Sequence, residues 1–97
     1  MTIDIKLKSG FFKTQLYSLV IFQNQISLIP KENSELNKIN IRPEDLISVN
    51  IFKRGSRVVE LEIITKNGSY TGTIDTESNV EELLSTLKEI WQKTYYY

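Results

Sequence analysis

Val58-Val59-Glu60-Leu61-Glu62-Ile63-Ile64-Thr65-Lys66-Asn67-Gly68-Ser69-Tyr70, read on through Ser78-Asn79-Val80-Glu81-Glu82-Leu83-Leu84 to Trp91, is where the hydrophobic period of the chain changes. In the first half Val59, Leu61 and Ile63 alternate with Glu60 and Glu62, a period of two that predicts a strand over Val58 to Thr65 with one apolar and one wet face. Asn67-Gly68 predicts a tight hairpin, since a type I′ turn needs positive φ at both central positions. The return strand runs from Ser69 to Ile74, and Gly72 within it predicts a bend or a close approach by another element. Beyond it Val80, Leu83, Leu84, Leu87, Ile90 and Trp91 recur at helical spacing. Ser78 and Glu81 fit a capping box, in which the serine accepts from an orphan amide and the glutamate reaches back. The helix is expected over Asn79 to Lys93, with Glu89 and Lys93 a favourable i,i+4 pair worth a few tenths of a kcal/mol.

Such a helix has to bury its stripe. At roughly 1.5–3 kcal/mol per large apolar side chain, its six residues gross about 9–18 kcal/mol, against a usual net stability of ~5–15 kcal/mol for a domain. The helix is therefore expected inside the core.

Upstream, the sequence continues in strands. Ile3, Ile5 and Leu7 alternate with Asp4, Lys6 and Lys8 over Thr2 to Lys8. Ser9-Gly10 then breaks the pattern. The apolar run Leu16 to Phe22, the turn Gln23-Asn24-Gln25 and the return Ile26 to Ile29 before Pro30 form a second and third strand. Lys31 to Glu35 is a polar loop, and Ile39 and Ile41 mark a short fourth strand ended at Arg42-Pro43. Leu46 to Lys53 is the fifth, with Ile47, Val49 and Ile51 expected on one face. Arg54-Gly55-Ser56 turns the chain into the strand at Val58. Thirteen isoleucines favour this β-rich reading. The expectation is one domain over residues 1–97, mainly β, of seven strands and one C-terminal α-helix.

Composition narrows the chemistry. Twelve basic and twelve acidic residues cancel, which argues against a nucleic-acid binder. Cysteine is absent, so disulfides and thiolate zinc sites are excluded. Histidine is absent too, which removes the commonest acid–base catalyst and metal ligand. Neither a phosphate-binding G-x-x-x-x-G-K-[ST] loop nor a G-x-G-x-x-G turn is present. The reading is of a protein that is not an enzyme and needs no cofactor. Glu60 and Glu62 share one strand face, but no further acid nearby in sequence completes a cation site. No apolar stretch is long enough to span a membrane, and Met1-Thr2-Ile3-Asp4 lacks the apolar segment of a signal peptide. A cytoplasmic location is the expectation.

Leu19-Val20-Ile21-Phe22, Ile26-Ser27-Leu28-Ile29-Pro30, Glu44-Asp45-Leu46-Ile47-Ser48-Val49, Leu61-Glu62-Ile63 and Val80 to Trp91 together resemble the bacterial pleckstrin-homology-like and GRAM-like pattern. That pattern has an apolar hairpin, a strand entry of the form D-[LI]-x-x-V, and a hairpin leading to a C-terminal helix. Trp91 matches the tryptophan common near the end of that helix. The resemblance covers nearly the whole chain and rests on element order and apolar spacing. It implies a barrel of two orthogonal antiparallel sheets capped by the amphipathic helix, serving as a binding scaffold for lipids, peptides or proteins. Lipid-binding members carry a basic K-x(n)-[KR]-x-R motif between their first two strands. Here that region has Lys6, Lys8 and Lys13 and no arginine, so no lipid site carries over.

Three features are candidates for contact. Lys53, Arg54 and Arg57 place three positive charges around one hairpin turn, a contact for an anion or a partner, or else a solvated turn that discourages edge aggregation. Near an anionic surface each is worth ~1 kcal/mol, so the three alone correspond to roughly millimolar affinity or weaker. Phe11 and Phe12 are adjacent and cannot both point inward from a strand, so one is a candidate anchor for a partner or a lipid, or else one is buried and the other packs on its neighbours. Tyr95-Tyr96-Tyr97 is either a partner-binding tail or a segment lying on a sheet edge. Lys6, Lys8 and Lys13 either join the basic patch or form the wet face of a strand. The expected function is a non-enzymatic binding or assembly module that contacts a protein partner or self-associates. The alternative is a peripheral domain for anionic membranes, and a third class is a carrier with a small ligand held between the sheets.

Overall fold

A computed structural model describes residues 1–8, 13–22, 25–32, 37–54, 58–75, 80–90 and 94–96; for 54, 75, 80, 90 and 94–96 it describes the backbone. The strands are β1 (Thr2–Lys8), β2 (Thr14–Ile21), β3 (Ile26–Pro30), β4 (Ile39–Ile41), β5 (Leu46–Arg54), β6 (Val58–Thr65) and β7 (Gly68–Asp75). A single 3₁₀ turn at Pro43–Asp45 precedes β5, helix α1 spans Val80–Ile90, and a last strand β8 spans Thr94–Tyr96. The strands form one hydrogen-bonded sheet in the order β4-β3-β2-β1-β7-β6-β5-β8. Its first seven strands are antiparallel neighbours, whereas β8 runs parallel to β5. Among the described residues the sheet ends on β4 and β8 and does not close into a barrel, which is the first departure from expectation.

Alternation becomes burial. On β1 the buried Ile3, Ile5 and Leu7 alternate with exposed Thr2, Asp4, Lys6 and Lys8. Ile3 lies opposite Leu19 and Ile5 opposite Tyr17, while Leu19 faces Leu28 and Ile21 faces Ile26 across β2 and β3. Val59, Leu61 and Ile63 of β6 continue the same core with Val49 and Ile51 of β5 and Ile74 of β7. Leu83 and Leu87 of α1 are fully buried in that core, and Leu84 packs against it. Leu83, Leu84 and Leu87 of the apolar stripe thus join the interior, as their spacing requires. The described helix covers Val80–Ile90 of the expected range. The capping box at Ser78, the Lys93 partner of Glu89 and Trp91 lie outside the described residues.

The junction of β1 and β7 is narrow. Only Lys6 with Thr73 and Leu7 with Gly72 are in register, against seven pairs between β1 and β2. Gly72 is the reason the strands approach at all. A Cβ there would lie 2.7 Å from Ile5 Cγ1 and Cδ1 and 2.8 Å from the Lys6 carbonyl oxygen. The close approach read from its place in the strand is what the structure has.

Two local readings are corrected. Asn67-Gly68 is not a type I′ pair, because Lys66 and Asn67 form the loop and Thr65 pairs with Gly68. Gly68 alone among the described residues has positive φ, at 150°. The loop is held instead by Thr65, whose Oγ1 accepts from the Asn67 N–H at 3.2 Å and donates to the Gly68 carbonyl at 2.8 Å. Thr65→Val, which keeps the shape and removes both bonds, should lower stability by about 1 kcal/mol in urea unfolding; an unchanged midpoint would mean the hydroxyl carries none of the turn. Ile47 is the second correction: it is 49% exposed, while Leu46, Val49 and Ile51 are buried. A register shift between Leu46 and Ser48 against β6 inserts an extra residue, and a bulge of this kind reverses the inward–outward order on one side of it. An eighth strand, β8, pairs with β5, so the backbone of Tyr95 and Tyr96 lies on a sheet edge, one of the two readings of the tyrosine segment.

Candidate functional site

Strand direction decides which candidate residues share an end of the sheet. β1, β3 and β6 run one way and β2, β4, β5 and β7 the other. The β5–β6 turn, the β2–β3 turn and Met1 therefore fall at one end. The β1–β2 connection and the Lys66-Asn67 loop fall at the opposite end. Lys53 and the backbone of Arg54 belong to the first end, and Lys8 and Lys13 to the second.

Of the basic turn, Lys53 is exposed near the end of β5 and Arg54 is in register with Val58; Arg57 lies outside the described residues. Val58 is in turn registered with Asp75 on β7. Phe11 and Phe12 also lie outside the described residues. Lys8 and Lys13 are exposed at the opposite end of the sheet from Lys53, and Lys6 sits on the exposed face of β1 opposite Leu16 and Thr73. The lysines of β1 do not join the basic turn. Asp4 answers one cation on this face, with Lys31 Nζ at 3.0 Å from its Oδ1; both are exposed, and such pairs contribute little, about 0–1 kcal/mol.

The end that holds the basic turn has a feature that sequence reading missed. Phe22, expected inside a strand, lies just beyond β2 and is 54% exposed, and Val58 is 42% exposed. The Phe22 N–H donates to the Gln25 carbonyl at 2.9 Å, which fixes the residue at the mouth of the β2–β3 turn. Its apolar neighbours in sequence concealed it, because a run without alternation does not say where the strand stops.

On the outer face of β5–β7, Asn50 is 9% exposed and donates through Nδ2 to Glu62 Oε1 at 3.2 Å and to Ser48 Oγ at 3.3 Å. Glu60 and Glu62 are half-buried rather than fully wet. Glu62 lies between Asn50 and Thr71, and Glu60 between Phe52 and Thr73. Asn50 is also the β5 residue in register with Tyr95 of β8. No group of three metal-ligating side chains occurs among the described residues, and none of their helices is long and apolar enough to cross a membrane. On the other edge Ser27, fully buried, donates to Asn40 Oδ1 at 2.8 Å and accepts from Gln25 Nε2 at 3.2 Å, which ties β4 to β3.

Comparison with known proteins finds no family model that matches the chain and no curated protein that matches it.

Proposed function

We propose that this chain is a non-enzymatic binding or assembly module of pleckstrin-homology-like, GRAM-like arrangement, contacting a protein partner or a second copy of itself in the cytoplasm. In this reading β1–β4 and β5–β7 are two antiparallel layers that turn on one another at the narrow β1–β7 junction, where Gly72 admits the backbone of β1. Helix α1 closes the space between them with Leu83 and Leu87. The observation that carries the functional reading is the pair of sheet ends: both β4 and β8 are three-residue strands. Short edges are where a sheet accepts a further strand or resists one. Light scattering across a concentration series, with affinity capture from the source organism's lysate, tests it. Growth in mass with concentration supports self-association, and a specific captured protein supports partner binding. A monomer at every concentration that retains nothing would sink both.

A second reading, a peripheral domain for anionic membranes, is favoured by one observation: exposed Phe22 and Val58 share an end of the sheet with Lys53 and the backbone of Arg54. An apolar anchor beside cations is what an anionic interface takes up. Reversing the three charges together (Lys53→Glu, Arg54→Glu, Arg57→Glu) should cut cosedimentation with phosphatidylserine vesicles at low salt at least roughly a hundredfold, from ~1 kcal/mol per residue. Equal sedimentation of wild type and variant would end this reading.

A further inference from the structure

The sheet ends on β4, and the parity of its hydrogen bonds decides which residues of that strand face outward. The Phe22 N–H donates to the Gln25 carbonyl at 2.9 Å and the Lys31 N–H to the Leu16 carbonyl at 3.0 Å. Bonded and non-bonded residue pairs alternate along an antiparallel ladder. Between those two fixed points the bonded pairs of β2 with β3 are therefore Val20 with Ser27 and Ser18 with Ile29. Ile26 and Leu28 turn their backbone groups the other way, to Ile41 and Ile39 of β4. Asn40 is left with its backbone N–H and carbonyl facing away from β3, and neither has a partner among the described residues. Its side chain is held on the sheet, where Oδ1 accepts from Ser27 Oγ at 2.8 Å.

Lys38 and Arg42 stand two residues to either side of Asn40, and both are exposed. Arg42 is extended, at φ −86° and ψ 159°. Its carbonyl accepts from the Asp45 N–H at 3.0 Å. Glu44 Oε1 lies 3.7 Å from Arg42 Nη1 with both side chains largely in solvent, a pair loose enough to exchange. No ion pair holds Lys38 among the described residues. Between the two cations Ile39 is half-buried and Ile41 is 3% exposed, so the lip of the core lies along the same edge.

We infer that β4 takes up an extended acidic segment of a protein partner as a further antiparallel strand, with the side-chain order acid, apolar, polar, apolar, acid. This rests on the partner-binding form of the reading above and names the edge and the chemistry it selects. The central residue of the segment exchanges backbone bonds with Asn40, its acids lie opposite Lys38 and Arg42, and its apolar residues fall beside Ile39 and Ile41. A second copy of β4 is a poor occupant in this register. A two-fold pairing centred on Asn40 sets Lys38 of each chain opposite Arg42 of the other, and like charges directly opposite are destabilising. Cations on an edge guard against such self-pairing; the same cations favour a strand of opposite sign.

Two synthetic peptides with blocked termini, Asp-Val-Thr-Val-Asp and Lys-Val-Thr-Val-Lys, test this by titration into the isotope-labelled full-length chain. The acidic peptide should bind at least about tenfold more tightly, since two cross-strand pairs change sign. It should also shift the Asn40 amide resonance and slow its hydrogen exchange. The double variant Lys38→Glu, Arg42→Glu should prefer the basic peptide, and both side chains are exposed, so its fold is preserved. Equal binding of the two peptides, or an acidic preference that survives the reversal, would overturn the proposal. Shifts confined to Lys6 and Lys8, with the Asn40 amide unprotected, would reject strand addition in favour of simple attraction to β1. A wild-type dimer whose Asn40 amide is protected without peptide would assign the edge to a second copy instead. Should neither peptide bind while a protein captured from lysate is retained equally by wild type and double variant, the β4 edge is rejected and the binding-module reading stands.

Discussion

Leu83→Ala together with Leu87→Ala should leave the chain unfolded or barely folded at 25 °C, and a chain ending before Ser78 should show no cooperative melt at all. Both leucines are fully buried in the core shared by the strands. A Leu→Ala change at such a site costs about 2–5 kcal/mol, the transfer term plus a cavity that the surroundings fill only in part. Two together cost about 4–10 kcal/mol, less whatever they share as i,i+4 neighbours, against a total of ~5–15 kcal/mol for a domain. Ser85 is exposed on the same helix and serves as the control, since Ser85→Ala should stay within about 0.5 kcal/mol of wild type. Urea unfolding followed by circular dichroism measures all of these. A double variant within about 1 kcal/mol of wild type would mean that the helix lies on the sheet without completing its core.

Gly72→Val is expected to be nearly as damaging, through the opposite fault. The new Cβ would lie 2.7 Å from two carbons of Ile5 and 2.8 Å from the Lys6 carbonyl oxygen. Ile5 is 1% exposed and hemmed in by the core, so it has no free rotamer to retreat into. The carbonyl belongs to the backbone of β1 and can retreat only by opening the β1–β7 junction, which has two register pairs to lose. Overpacking of a core usually costs about 1–3 kcal/mol; a clash with backbone at the junction of two meanders puts this substitution at or above the top of that range. Thermal melting and amide exchange of β1 and β7 read it out. A normal melting temperature would show that the two strands can move apart freely, and that the close approach at Gly72 is incidental to the fold.

The elements that pattern could find are those long enough to show a period. β1 and β6 fall where alternation placed them, from Thr2 to Lys8 and from Val58 to Thr65, because seven or eight residues with one wet face repeat the signal several times. The short β4 was legible for another reason, an Ile-x-Ile stretch cut off by Arg42-Pro43. Ile47 was not legible: a bulge shifts the parity of a strand by one, and nothing local marks it. The Lys66-Asn67 loop was misplaced by one residue, since Asn67-Gly68 suits both a turn with two positive φ values and one in which glycine alone supplies it. For the site, sequence named Lys53, Arg54 and Arg57 and missed Phe22 and Val58. Of its two readings of Lys6, Lys8 and Lys13, the wet face of a strand is the one that the exposed Lys6 and Lys8 of β1 bear out.

Period and burial, then, follow from the order of residues alone: a side chain that alternates with charge or recurs every third or fourth position has to be sequestered, whatever surrounds it. β8 has no such warrant. Thr94, Tyr95 and Tyr96 are too few to hold a strand by their own preference, and they form one because the free hydrogen-bonding edge of β5, contributed more than forty residues earlier in the chain, lies beside the end of α1. Pairing across such a distance is a property of the folded sheet, and so is the edge it covers.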